Sequence, residues 1–150
     1  MQRVAAAVHA PCVQVAAELA RAVMASAGGR CALVAFGEPT VVLPASDDAR
    51  PGRGGRAQQL ALALARELRG TWVTALVAGT DGVDGPSLPP VAGAVVDGES
   101  WAELGALGLD GDAALARCDA RAALEALGSL IITGPTGRNH ADVMILLREA

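Results

Sequence analysis

Trp72-Val73-Thr74-Ala75-Leu76-Val77-Ala78 runs directly into Gly79-Thr80-Asp81-Gly82-Val83-Asp84-Gly85-Pro86, and this passage from apolar run to glycine-rich loop decides the fold class. A strand that ends abruptly in Gly, Thr and Asp is how an open α/β sheet offers backbone amides and carboxylates to a ligand beyond the carboxyl ends of its strands. A second apolar run, Ser129 to Thr133, feeds a comparable loop, Thr133-Gly134-Pro135-Thr136-Gly137-Arg138-Asn139. Both segments read as site loops.

Upstream of Trp72, the leucines 60, 64 and 68 with intervening alanines mark a helix over Arg56 to Arg69, preceded by Pro51-Gly52-Arg53-Gly54-Gly55. Cys31 to Phe36 is a continuous apolar run of buried-strand length, and the Gly37-Glu38-Pro39 turn predicts a hairpin with a second strand over Thr40 to Leu43. Val4, Val8, Cys12, Val15, Leu19 and Val23 recur at steps of three and four. Pro11 serves best as the first residue of a helix reaching Ala27, with Gly28-Gly29 as a left-handed cap and the first ten residues as a lead-in. Downstream, Val91 to Asp97 reads as a short strand, and three short helices follow, with Ser100, Asp112 and Asp119 as N-caps. Val143 to Leu147 closes the sheet, and Trp72 and Trp101 read as core anchors. The alternation of strands and helices predicts the α/β class: a single layered domain, Rossmann-like, with a mostly parallel or mixed sheet and helices on both faces. Residues 1–29 form a helical lead-in and residues 30–150 the α/β domain.

With 150 residues, 52% of them hydrophobic, the chain has enough apolar surface for one core. A net charge of −4 speaks against a phosphate-backbone reader, so nucleic acid is not an expected partner. All 12 basic residues are arginine, which removes P-loop lysines, Schiff bases and amine general bases from consideration. The cysteines 12, 31 and 118 form no C-x-x-C pair and no zinc cluster with His9 and His140; they read as buried thiols of a reduced, cytoplasmic protein. No stretch approaches the ~20 apolar residues of a membrane span.

Four groups of residues carry chemistry. Glycines immediately before the helix at Arg56 leave its first amides unpaired, so an anion can bind at Gly54 and Gly55 with Arg56 or Arg53 neutralising its charge; the alternative is a flexible solvated loop. Asp81 and Asp84 either share a hard cation such as Mg²⁺ or accept hydrogen bonds from turn amides. Gly134, Thr136, Gly137 and Asn139 offer amides and hydroxyls to phosphate oxygens or an uncharged polar substrate, or form a plain turn. Glu38 is a turn acid or a carboxylate reaching the same crevice. Gly52-x-Gly54-x-x-Ala57 matches a dinucleotide fingerprint only loosely, because it follows a polar loop and not a strand.

Taken in order, Gly37-Glu38-x-Thr40, Gly52-x-Gly54-Gly55-Arg56-x-Gln58, Ala78 to Pro86, Ala92 to Asp97 and Thr133-Gly134-Pro135-Thr136-Gly137-x-Asn139 resemble the MOFRL family, the carboxy-terminal domain of glycerate 2-kinases that also carry the name hydroxypyruvate reductase. The resemblance implies an α/β domain facing a larger domain across a cleft, with ATP, Mg²⁺ and D-glycerate as ligands. It implies Arg56 as the charge-stabilising arginine and Asp81 and Asp84 as cation or nucleotide-site acids; Glu38 joins Arg56 as a catalytic candidate. The larger domain is absent here, together with the lysine the family is thought to use, so a separately encoded amino-terminal kinase domain is the implied partner. Ala57 stands where the family usually has Asn, Gln59 where it has Glu, and Ala141 where a second Asn is common. These losses keep a non-catalytic binding module open as the alternative, ahead of a hydroxypyruvate reductase.

Overall fold

Direction is the property that apolar periodicity does not encode, and the computed structural model, which describes residues 2–27, 29–44, 52–86 and 88–149, supplies it. The elements run β1 (Gln2–Val8), α1 (Cys12–Ala25), β2 (Cys31–Gly37), α2 (Arg56–Glu67), β3 (Val73–Gly79), β4 (Gly93–Val96), α3 (Ser100–Ala106), α4 (Gly111–Ala116), α5 (Ala120–Ala126), β5 (Leu130–Ile131) and β6 (Asp142–Arg148). The strands form one sheet in the order β1-β2-β6-β3-β4-β5. β1 and β2 are parallel; β2–β6, β6–β3, β3–β4 and β4–β5 are all antiparallel.

The α/β class therefore holds, and of the two expected forms the sheet is the mixed one, not the mostly parallel one, with antiparallel neighbours dominating. Parallel neighbours need a long crossover, usually helical, whereas antiparallel ones can be joined by loops. β3 reaches β4 through the loop at 80–92. β6, the last strand, enters between β2 and β3 after the loop at 132–141 and runs against both.

The first ten residues are more than a lead-in, since they carry β1. Alanine-rich strands carry little intrinsic β signal, so pairing with β2 decides the conformation. Pro11 is the N-cap of α1, one position outside the helix. Gly28, in the expected cap, lies outside the described residues, as do Ser46 to Pro51. The predicted hairpin after Phe36 is absent: Thr40 makes a single parallel bridge to Pro11, with the Cys12 amide donating to Thr40 O at 2.9 Å and the Thr40 amide to Ala10 O at 3.0 Å. Proline at 39 and 44 brackets too short a run for a ladder.

Helix caps also differ from expectation. Asp97, not Ser100, accepts from the amides of Glu99 and Ser100, each at 3.0 Å, and Asp110, not Asp112, accepts from Ala113 N at 2.9 Å. Asp119 accepts from the amide of Arg53 at 2.8 Å instead of capping its own helix.

One face of the sheet is buried and the other is open. Along β3, Val73, Ala75, Val77 and Gly79 are buried while Thr74, Leu76 and Ala78 are not; Met144 and Leu146 of β6 and Leu33 and Ala35 of β2 repeat the pattern. The buried side packs against α2, which lies in the middle of the domain: every residue from Leu60 to Ala65 is fully buried, with α1 beside it and α4 and α5 beyond. Alanines at 57, 61, 63 and 65 allow that close approach on all sides. The helices thus lie on one face, where both were expected. Trp101 packs against the core, whereas Trp72, 81% exposed at the start of β3, is no anchor.

Candidate functional site

β2 and β3 end, and β6 begins, at the same edge of the sheet, and the register places Asp142 directly between Gly37 and Gly79. Neither neighbour has a side chain to compete with its carboxylate; a Cβ on Gly79 would lie 3.5 Å from Asp142 Oδ1 and 3.1 Å from Asp81 Oδ1. Arg56, the first residue of α2, fills this notch. Its Nε donates to Asp142 Oδ2 at 2.7 Å and its Nη2 to Asp142 Oδ1 at 3.2 Å, a two-pronged pairing with a carboxylate that is almost fully buried. Nη2 also donates to the exposed Glu38 Oε1 at 3.2 Å. The bridge from Thr40 to the start of α1 brings Glu38 there. The hydrogen bonds that Arg56 donates to Asp142 raise its already high pKa against the opposing effect of burial, with the charges of Asp142 and Glu38 adding to the rise, so the guanidinium is permanently charged.

Asp84 sits beneath the start of α2. It is buried and accepts from Ala57 N at 3.0 Å, Gln58 N at 2.8 Å and Gln58 Nε2 at 3.0 Å, so the two acids of the first loop have separate tasks. It supplies from a distant loop the carboxylate that Gly55 lacks at the N-cap. Burial raises its pKa, opposed by those three N–H donors. The helix amides expected to hold a phosphate are already satisfied by Asp84, whereas among the described residues the amides of Gly54 and Gly55 donate to no protein acceptor.

That glycine segment is hydrogen-bonded to the helices beside it. Gly52 N donates to Arg117 O at 2.9 Å, and Arg121 N to Arg53 O at 3.0 Å, fastening it to the start of α5 together with the Asp119 contact.

Asp81 Oδ1 accepts from Val83 N at 3.0 Å in a turn, and its carbonyl receives Thr136 N at 2.9 Å. The two site loops touch. Thr136 Oγ1 donates to Thr80 O at 2.6 Å, Thr80 Oγ1 donates to Ala141 O at 2.8 Å and accepts from His140 N at 2.7 Å. Gly82, at φ +80°, lies against the Gly134 carbonyl, an approach any Cβ would block. Asn139 Oδ1 accepts from Ala141 N at 3.1 Å, while Gly134 and Gly137 face open space. Among the described residues no three His, Cys, Asp or Glu side chains converge as a metal cage.

Arg56, Glu38, Asp81, Asp84 and the second loop are thus gathered at one edge. Asp142 was not anticipated: eighty-six positions separate it from Arg56, and only the strand register unites them. Gln58, fully buried on Asp84, is a second unforeseen member.

Cys12 lies under this edge. Burial pushes its thiol up to about 12, with the charges of Asp84 and Asp142 adding to the effect. The unfolded chain releases this proton near 9 and the folded one near 12, so unfolding releases a proton between those values. Stability from this group is complete below pH 9 and is lost as pH rises to 12. Urea titrations across that window should give a steeper decline for the parent than for Cys12→Ala; parallel curves would refute the assignment.

No helix among the described residues is long and apolar enough to cross a membrane. Residues 31–142 match the MOFRL family. The chain is 44% identical over 115 residues to the D-glycerate 2-kinase of Thermotoga maritima, covering 76% of this chain and 26% of that protein. It is 42% identical over 132 residues to the glycerate kinase of Homo sapiens, covering 82% of this chain and 24% of the relative. The crystal structure of a Thermotoga maritima glycerate kinase superposes with a TM-score of 0.87 at 34% identity, over 98% of this chain and 36% of that one. A Pyrococcus horikoshii structure gives the same TM-score at 27% identity, over 99% and 34%. The chain spans about a quarter of the curated relatives it matches, and it belongs to the MOFRL family.

Proposed function

We propose that this domain forms one wall of a phosphoryl-transfer cleft for Mg-ATP and glycerate, completed by a separately encoded partner domain of the glycerate kinase kind. The observation that carries the reading is the Arg56–Asp142 pair. A guanidinium locked on its inner side by a buried carboxylate keeps its outer N–H groups in place for phosphate oxygens, and phosphoryl transfer depends on such preorganised charge. Gly54 and Gly55 add two amides beside it. Glu38 is the exchangeable partner: exposed and singly bonded, it can release Nη2 to an incoming anion.

Charge favours a nucleotide carrying its cation. Arg56 is paired with Glu38 and Asp142, and Asp81 and Asp84 lie in the loop that follows β3 at the same edge, so a bare polyphosphate meets more acids than this one arginine offsets. With Asp84 engaged by α2 and no three-acid cage among the described residues, the donor set fits an Mg²⁺ that keeps its waters and phosphate oxygens and meets Asp81 at one position. Bound there, magnesium would neutralise charge on the transferring phosphate.

The domain by itself should bind without turnover, because it has no lysine and only one wall of a cleft. Mg-ATP should raise its melting temperature by mass action, and Asp81→Asn should remove the rise while leaving the unliganded unfolding free energy within about 1 kcal/mol of the parent. Arg66→Ala, which breaks pairings with Glu67 and Asp112 far along α2 from its start, is the control and should change neither. Turnover by the purified chain at ordinary kinase rates, roughly 1–100 per second, would overturn the need for a partner.

A non-catalytic module remains the second reading, and specific contacts favour it. Ala57 is fully buried where the family usually has Asn, and Gln59 Nε2 donates to Leu115 O at 2.8 Å, a bond a glutamate at that position could not make as a carboxylate. Supplying the kinase partner domain of a relative in trans separates the two readings: restored phosphorylation of glycerate supports the first, and tight association without turnover the second.

A further inference from the structure

Beside Arg56 lies a cleft of about 340 Å³ whose walls differ in character from the charged edge of the sheet. Val41, Leu43, Pro86 and Cys118 give it apolar side-chain surface, and glycine backbone from the two loops lines much of the rest. Arg56 borders it, and Gly54 and Gly55, whose amides have no protein acceptor among the described residues, belong to the same lining. The cleft therefore joins an apolar chamber to a cationic mouth.

We infer that this chamber takes the base of the nucleotide, with the phosphate chain leading out past Gly54 and Gly55 to Arg56; this rests on the phosphoryl-transfer reading above and assigns its orientation. The size falls within the range of small-molecule pockets, about 300–1,000 Å³. The lining decides between the two ligands. Glycerate is a three-carbon hydroxy acid with no apolar face to place against Val41, Leu43 and Pro86, whereas a purine presents two flat π faces and bears its anionic groups at the other end. Backbone glycine lets such a plane approach closely, and the pinning of Gly52 and Arg53 to α5 holds that wall still.

Titration calorimetry on the whole chain with three probes tests the assignment: adenosine, Mg-ATP, and Mg-tripolyphosphate, which has the phosphates without the base. Leu43→Trp, at an exposed position, and Val41→Trp add bulk to the chamber and leave the Arg56 side chain in place. Both should weaken adenosine and Mg-ATP at least tenfold and change tripolyphosphate binding far less, whereas Arg56→Ala should weaken tripolyphosphate and Mg-ATP but spare adenosine. Equal adenosine binding in the parent and in both tryptophan variants, alongside normal Mg-ATP binding, would place the base elsewhere and overturn the inference alone. Absence of binding by both Mg-ATP and tripolyphosphate would overturn the phosphoryl-transfer reading as well. Tighter binding of NADH than of Mg-ATP, lost in the tryptophan variants, would assign the chamber to a dinucleotide and not to a kinase nucleotide.

Discussion

Asp84→Ala should destabilise the domain by about 4 kcal/mol, the largest effect expected of any single change at the site. Three N–H donors at the start of α2 lose their acceptor at once, and buried donors left unsatisfied cost about 1–3 kcal/mol each. Because α2 is buried along its whole central length, loosening its first turn disturbs the core and not a surface helix. At about 2–4 °C per kcal/mol for a chain this size, the melting temperature should drop by roughly 10 °C. Asp84→Asn, which keeps one acceptor oxygen, should lose about half as much. Equilibrium urea unfolding decides the matter: a variant with parental stability that loses only its response to Mg²⁺ would mean that Asp84 is a cation ligand and not a cap.

Arg56→Ala should lose both ligand response and about 2–3 kcal/mol of stability. Deleting one member of a buried ion pair leaves the other charge uncompensated, which typically costs 3–5 kcal/mol; the half-exposed position of Arg56 lowers the figure. The double variant Arg56→Ala/Asp142→Asn should be more stable than Arg56→Ala alone, since it removes the stranded carboxylate. Glu38→Gln, breaking only the exposed contact, should cost under about 1 kcal/mol. Additive losses from Arg56→Ala and Asp142→Asn in a double-mutant cycle would show that the pairing carries no coupling energy, contrary to the geometry.

The parts legible from the sequence are those in which neighbouring residues carry the signal. Cys31 to Phe36 announces a strand because it is apolar without interruption, Trp72 to Ala78 because Thr74 is its one polar residue, and α2 is announced by leucines at one helical spacing. The two loops are conspicuous because glycine and aspartate at the end of a strand have few other uses. What could not be read depends on partners distant in the chain. An Asp in a glycine-rich loop looks the same whether it faces a cation or reaches across to cap a helix, so Asp84 needed the fold to reveal its amides. Asp142 reads as the polar first residue of a strand until β6 is inserted between β2 and β3. The Ala-rich segment before Val8 and the brief run after Thr40 carry similar local signals, yet the first pairs with β2 and the second makes only one bridge. Trp72 shows the same limit: its size suggests the core, but its place at the mouth of β3 puts it in solvent.

The one-sided sheet has a consequence for how the chain tolerates substitution. Val73, Ala75 and Val77 lie under α2, whereas Thr74 and Leu76 between them do not, and β6 repeats the alternation. A saturation scan selected on folding should therefore return a two-residue rhythm along each inner strand, with polar replacements rejected at one position and accepted at the next. The rhythm should break at Gly79 and Asp142, where ligand response and folding make separate demands on the same short edge.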